Sequence, residues 1–370
     1  MLRIRLTTGS AAFLRAGLTI GACAFAAASY GQWTVIDLNP SGATGSGALG
    51  VYGSQEAGHA VFGGVGHAGM WSGTAASWVD LSPGGATSSG LVGLYGSQQA
   101  GDATIGGVNH ASLWSGTAAS WVDLNPAMAF ASIVLLGIGG GQEAGWASVA
   151  TGWDAILWSG SAASAVVLNP TGVNYAQAEG VGGGQQVGRA LIGTSYDAGL
   201  WDGSAASWVD LGPAGATSSV ALATDGSKQV GNATFGGVSD AGMWSGTAAS
   251  WVDLNPAGAS LSNAVSVFDG RQVGSATIAG ASHASLWSGS AASWVDLQSY
   301  LPVNFTSSRA SGIWQDASGV TYVAGYGVNA TTGQNEALLW ENPVPEPTPV
   351  ALLALGGFGL LRRGRMLKAA

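Results

Sequence analysis

The stretch Trp114-Ser-Gly-Thr-Ala-Ala-Ser-Trp121-Val-Asp-Leu-Asn-Pro126 recurs in variants along the chain, and counting its copies decides the architecture. Its first tryptophan stands at Trp71, Trp114, Trp158, Trp201, Trp244, Trp287 and Trp340, with spacings of 43, 44, 43, 43, 43 and 53 residues. A period near 43 fits a unit of four short strands, whereas helical tandem repeats run at about 33 or 34 residues. Composition agrees with strands. There are 62 glycines in 370 residues, and charged residues are only 8%. Val, Trp, Thr and Tyr fall in short runs that suit a pleated surface better than a helix.

The second tryptophan of the phrase gives an independent count: Trp33, Trp78, Trp121, then Ala165 in its place, then Trp208, Trp251 and Trp294. This series starts before the first and stops before it ends, because Trp340 runs into Glu341-Asn342-Pro343 with no further copy. The orphan segment Trp33-Thr-Val-Ile-Asp37-Leu-Asn-Pro40 supplies the strand missing at the other end. The sequence therefore predicts an all-β chain: a seven-bladed β-propeller of four-stranded blades over residues 32–342, closed by the N-terminal strand pairing with the C-terminal blade. Such closure removes exposed sheet edges. Within one blade the reading is an inner strand at 88–95, a second at 102–107, a third at 110–114 and a fourth at 121–124. A hairpin loop at 116–119 would set Trp114 opposite Trp121. Cross-strand Trp pairs are then expected in six blades, each adding roughly 0.5–1.5 kcal/mol beyond burial.

The formal charge is −9. Seven of the eleven basic residues lie in the two end segments, so residues 32–342 hold four basic residues (Arg189, Lys228, Arg271, Arg309) against nineteen acidic ones, a net of −15. A surface this acidic repels nucleic acid and other polyanions. Residues 1–31 read as a secretory signal: Arg3, Arg5 and Arg15, an apolar stretch at 16–28, and small residues such as Ala24-Phe-Ala26 or Ala26-Ala-Ala28 for cleavage. Cys23, the one cysteine, lies inside it, so a cleaved chain carries no disulfide. The alternative reading of Ile20-Gly-Ala-Cys23 is a lipoprotein box.

The last residues, 343–370, place Val344, Pro345, Glu346 and Pro347 ahead of an apolar segment at 350–361 and a basic cluster at 362–368 that includes Arg362, Arg363 and Arg365. Twelve apolar residues fall short of the roughly 20 that a spanning helix needs. The ordered arrangement resembles the PEP-CTERM sorting signal of Gram-negative bacteria that make extracellular polysaccharide. That resemblance implies transient inner-membrane insertion through the tail and cleavage by an exosortase-type enzyme. It also implies delivery to the cell surface or matrix, with exopolysaccharide as a partner. The alternative is a simple C-terminal membrane anchor with its arginines on the cytoplasmic side. The segments His67-Ala-Gly-Met-Trp71, His110-Ala-Ser-Leu-Trp114 and His283-Ala-Ser-Leu-Trp287 resemble the HAF-type extracellular repeat, although Ser or Gly replaces Phe at the naming position. That family implies a propeller-like extracellular repeat and no defined activity.

Four residues before each first Trp stand His67, His110, Asp154, Asp197, Asp240, His283 and Glu336. Imidazole and carboxylate are metal-ligand types. These residues open the third strand rather than the inner one, however, so the expectation is a structural hydrogen bond fixing the turn between second and third strands, with no metal and no cofactor. The Asp of the fourth strand (Asp37, Asp80, Asp123, Asp210, Asp253, Asp296, with Val167 in blade three) is read as turn or interblade chemistry. Repetition follows the scaffold, whereas function breaks its symmetry. Ligand-binding candidates are therefore the irregular aromatics: Trp146 and Trp153 in the deviant third blade, where Ala127-Met-Ala-Phe130 adds apolar bulk, and Trp314, Tyr322 and Tyr326 in the enlarged closing blade. No Gly-x-Ser-x-Gly elbow, His-Glu-x-x-His, phosphate loop or calcium loop occurs. The expectation is an exported, non-catalytic surface or matrix protein with a structural or adhesive role and no catalytic residues. A carbohydrate-binding propeller is the alternative, and a polysaccharide hydrolase or lyase a more distant one.

Overall fold

The computed structural model describes residues 33–126 and 132–343. The expected signal, the tail and the 127–130 segment lie outside these residues. The chain forms seven four-stranded antiparallel sheets. Blade 1 comprises Ser46–Tyr52, Gln55–Phe62, Val65–Trp71 and Val79–Asp80, from inner to outer strand. Blades 2 to 6 repeat the pattern from inner strands Ala86–Tyr95, Ser132–Gly139, Ala176–Gly182, Ser218–Thr224 and Ser262–Phe268. Blade 7 is Phe305–Gln315, Thr321–Asn329 and Gln334–Asn342, completed by Thr34–Asp37 in the register Val35↔Trp340. The ring and its closure agree with the sequence reading. Strand bounds differ: in blade 2 the second strand is Gln98–Ile105 and the outer one only Val122–Asp123.

The first-series tryptophans are wedges between blades, and all seven are fully buried. Trp114 packs with Leu91 and Leu94 of its own blade against Ala57, Ala68, Met70 and Leu81 of blade 1. Trp71 packs in the same way against Leu38, Ala324, Ala337 and Leu339 of blade 7. Seven such clusters fill the seven interfaces. Burying an aromatic of this size removes roughly 150–250 Å² from water, and these wedges are the largest fully buried side chains of the ring.

The expected six Trp pairs are corrected to three. Trp71–Trp78, Trp201–Trp208 and Trp244–Trp251 meet at 4.6, 4.7 and 4.7 Å. In blades 2 and 6 the indole N–H of Trp121 and Trp294 instead donates to the hydroxyls of Ser112 and Ser285 at 2.9 Å. The residue two positions before the first Trp makes the choice. Gly69, Gly199 and Gly242 leave the space that the second indole fills, and a Cβ there would run into its ring. The four-residue hairpin is corrected as well. Residues 75–77 form a 3-10 turn, Ser72 N–H donates to Ser77 Oγ at 2.7 Å, and Gly73 N–H donates to Glu56 Oε2 at 2.9 Å. The ladder between third and outer strands covers only Gly69↔Asp80 and Met70↔Val79, so Trp71 has no partner directly opposite.

Every inner strand carries a register shift at the equivalent position, between Ala48/Gly50, Leu91/Gly93, Leu135/Gly137, Ala178/Gly180, Ala221/Ala223, Ala264/Ser266 and Ala310/Gly312, and blades 2 and 7 carry a second one, between Ala86/Ser88 and Phe305/Ser307. The shift common to all seven is a β-bulge, one extra residue that bends the strand. It presses a backbone carbonyl against the second strand, where a glycine stands in every blade: Gly58, Gly101, Gly145, Gly188, Gly231, Gly274 and Gly325. A Cβ on Gly101 would collide with the Gly90 carbonyl. Gly101→Ala is therefore expected to destabilise by about 1–3 kcal/mol. Gly66→Ala, where a Cβ would meet only the Ser89 carbonyl at an ordinary 3.5 Å, should stay within about 1 kcal/mol of wild type. Chemical-denaturant unfolding of both variants checks this.

Candidate functional site

The residue held in each bulge points to the ring axis: Leu49, Val92, Leu136, Glu179, Leu222, Val265 and Ser311 all line one axial cavity of about 430 Å³. They form its neck. Five are aliphatic, one is a serine and one is a carboxylic acid. The next residue is small in every blade (Gly50, Gly93, Gly137, Gly180, Ala223, Ser266, Gly312). Neighbouring inner strands come so close that a Cβ on Gly50 would sit 2.9 Å from the Gly93 Cα. Closure at the axis thus depends on small residues at this level.

The cavity opens where inner strands turn into second strands, and this mouth is lopsided. Blades 6, 7, 1 and 2 contribute Phe268, Trp314, Tyr52 and Tyr95. Tyr52 meets Tyr95 at 5.1 Å and Trp314 at 5.9 Å, and Trp314 lies 5.6 Å from Tyr322. Blades 3 and 4 offer only Gly139, Gly140, Gly182 and Gly183. One arc is an aromatic crescent, with Tyr95 43% exposed. The facing arc is glycine backbone in blades 3 and 4, followed in blade 5 by Thr224 and Asp225. On the far side of the neck a second hollow of about 260 Å³ is lined by Asn263, Ser275, Arg309 and Tyr326 together with Leu49, Val92, Val265 and Ser311.

Glu179 is the neck's one ionisable group. Its side chain is only 14% exposed, and burial raises its pKa, opposed by Arg189. The Arg189 Nε lies 3.7 Å from Glu179 Oε1. That guanidinium is held elsewhere, donating to Gln177 Oε1 at 2.8 and 2.6 Å and lying 5.1 Å from the Tyr196 ring centroid.

The sequence candidates are scattered over three places. Trp314 stands at the mouth, with Tyr322 packed behind it. Tyr326, on the same strand as Tyr322, pairs with Arg309 at the far hollow. Trp146 and Trp153 meet each other at 5.5 Å and form a separate cluster with Tyr175, 5.7 Å from Trp153. The ring of His67 and its equivalents does not reach the axis. His67, His110 and His283 each meet the fourth-strand Asp through Nδ1, at 2.7, 2.9 and 2.9 Å from Asp80, Asp123 and Asp296. Their partner is the outer strand, not the expected second-to-third-strand turn. Asp154 accepts from Asn169 at 2.8 Å, and Glu336 accepts from Asn329 at 2.8 Å and Thr332 at 2.9 Å. Asp197 and Asp240 face no histidine. Burial first, and then the charge of Asp210 or Asp253, raises their pKa values. The fourth-strand Asp also caps the chain two residues on, as Asp80 Oδ1 does by accepting from Ser82 N–H at 2.8 Å. Glu179, Tyr52, Tyr95 and Phe268 were missed. Aligning the repeats and seeking the one charge in an otherwise aliphatic column would have found Glu179.

No family model matches the sequence, and no curated protein matches it. Solved structures do. The chain is similar to puromycin hydrolase (TM-score 0.54, 12% identity, 79% of this chain and 53% of that one). It is also similar to oligogalacturonate lyase in complex with manganese (0.50, 10%, 86% and 98%), and to the β-propeller domain of the Trilobed protease from Pyrococcus furiosus (0.51, 11%, 82% and 100%). The chain spans about half the length of the puromycin hydrolase. The fold is a seven-bladed β-propeller. These neighbours also correct the expectation of a non-catalytic structural or adhesive protein. Similar folds occur in proteins named as a hydrolase, a lyase and a protease, so neither the architecture nor the lack of a familiar motif excludes catalytic work.

Away from the axis, between blades 2 and 3, burial pushes Asp102 up to about 7 while its carboxylate accepts from Leu135 N–H at 3.2 Å. A carboxyl raised in the folded state weakens folding above that value. The penalty is relieved as pH falls through it toward the unfolded value of about 4. Asp102→Asn, which keeps the accepting oxygen, is expected to melt higher than wild type at pH 8 and to lose this advantage by about pH 4. Thermal melts across that range check it.

Proposed function

We propose that this ring is a hydrolase-type propeller whose axial channel receives the end of a peptide substrate. The observation that carries this reading is the channel itself: an aromatic crescent of Tyr52, Tyr95, Phe268 and Trp314 over an apolar neck with a single carboxylate. Such a site takes a narrow, extended chain with apolar side chains, and the opposing glycine arc leaves its backbone room. The protease among the structural neighbours supports a peptide. The lyase neighbour suggests a polyuronate instead, but a polyanion would meet a ring of net charge −15. Residues 1–31 and 343–370 support export and exosortase-type sorting to the cell surface or matrix, where exopolysaccharide is a neighbour, through their resemblance to a secretory signal and a PEP-CTERM tail.

Titration of the full chain with short apolar peptides is expected to give saturable binding, with slow cleavage followed by mass spectrometry. Trp314→Ala should weaken binding at least tenfold, as central aromatic anchors do. Trp153→Ala, the same change in the separate cluster with Tyr175, should leave it unaltered. Binding that survives Trp314→Ala and is lost with Trp153→Ala would move the site to blades 3 and 4 and overturn the channel reading.

A further inference from the structure

We infer that Glu179 makes the channel neck a site for a protonated amine, so that a peptide enters with its N-terminus leading; this rests on the peptide reading above. Three observations carry it. In six of seven blades the bulged position holds an aliphatic residue or serine, and only blade 4 places a charge there. Its carboxylate is withdrawn from water, and among the described residues it accepts no hydrogen bond; the nearest cation, Arg189, stands at 3.7 Å and is bound to Gln177. A buried carboxylate in this state gains from an ammonium group that donates to it, because its burial is otherwise only partly offset.

The third observation is placement. Inner strands touch their neighbours in chain order, with blade 7 closing on blade 1, so blade 4 lies across the channel from blades 7 and 1. Glu179 therefore faces the side that carries Trp314 and Tyr52, but deeper, by the three residues that separate Leu49 from Tyr52. That depth is about 10 Å at roughly 3.3 Å per residue. It is the span of a short extended peptide with its amine at the neck and its third side chain at the mouth. Aromatic faces near a cation add further attraction, and the acidic ring draws cations toward the opening. A free carboxylate end or a polyanion would instead meet the like charge of Glu179 at this depth.

The test is calorimetric titration of the full chain with Ala-Ala-Phe-amide and with its N-acetylated form, repeated for Glu179→Gln, which keeps the side-chain volume and removes the charge. The site predicts that the free-amine peptide binds wild type at least tenfold more tightly than the acetylated one, and that Glu179→Gln abolishes this difference while melting no lower than wild type. Equal affinity for both peptides, or a preference that persists in Glu179→Gln, overturns the amine site and leaves the aromatic mouth standing. Failure of both peptides to bind wild type overturns the peptide reading, and the amine site with it.

Discussion

Everything at the centre of this molecule follows from one backbone conflict, the carbonyl that each inner-strand bulge drives into the neighbouring strand. Only a residue without a Cβ can stand opposite, and all seven second strands supply a glycine there. The bulge bends the inner strand, and the small residue after it lets adjacent strands approach to backbone contact. The extra residue it creates is turned to the axis. Closure of the ring, a narrow neck and a set of seven independently variable side chains in that neck are three consequences of a single local irregularity.

Farther out, repetition has a different purpose. The buried tryptophans fill the interfaces, and serine hydroxyls of one blade accept third-strand N–H groups of the preceding one, as Ser89 does from Ala68 and Ser46 from Ala337. Where blades 3 and 4 carry Ile133 and Ala176 at the serine position, Asn125 and Asn169 accept from Ala111 and Ala155 instead. The scaffold tolerates changes of this kind because the hydrogen bond is preserved. The neck and mouth are free of that demand, which is why four aromatics, two glycines and Asp225 can stand at equivalent positions of the mouth, and Glu179 among aliphatic residues and a serine in the neck.

The ring count and its circular closure were legible in the sequence, because a fixed period and two offset Trp series admit one arrangement. Bulge phase was not. A one-residue shift in an alternating strand reverses which side chains face inward, so neither Glu179 nor Leu49 could be assigned to the axis from spacing alone. The Trp pairs were overcounted because the second indole is placed by a residue on another strand, Gly69 or Ser112, rather than by the phrase it belongs to. Trp314, singled out by its irregular spacing, lines the cavity mouth and packs on Tyr322, whereas Tyr52 and Tyr95, which line the same mouth, sit in ordinary repeats. Tyr326, four residues from Tyr322, lies beyond the neck because a strand carries it there.

The most direct test of the account is to locate a bound peptide. Ala-Ala-p-benzoylphenylalanine-amide, photo-crosslinked to the full chain and mapped by mass spectrometry, is expected to attach at Tyr52, Tyr95 or Trp314. Attachment confined to the Trp146–Trp153–Tyr175 cluster or to the outer strands would contradict the channel as the working site.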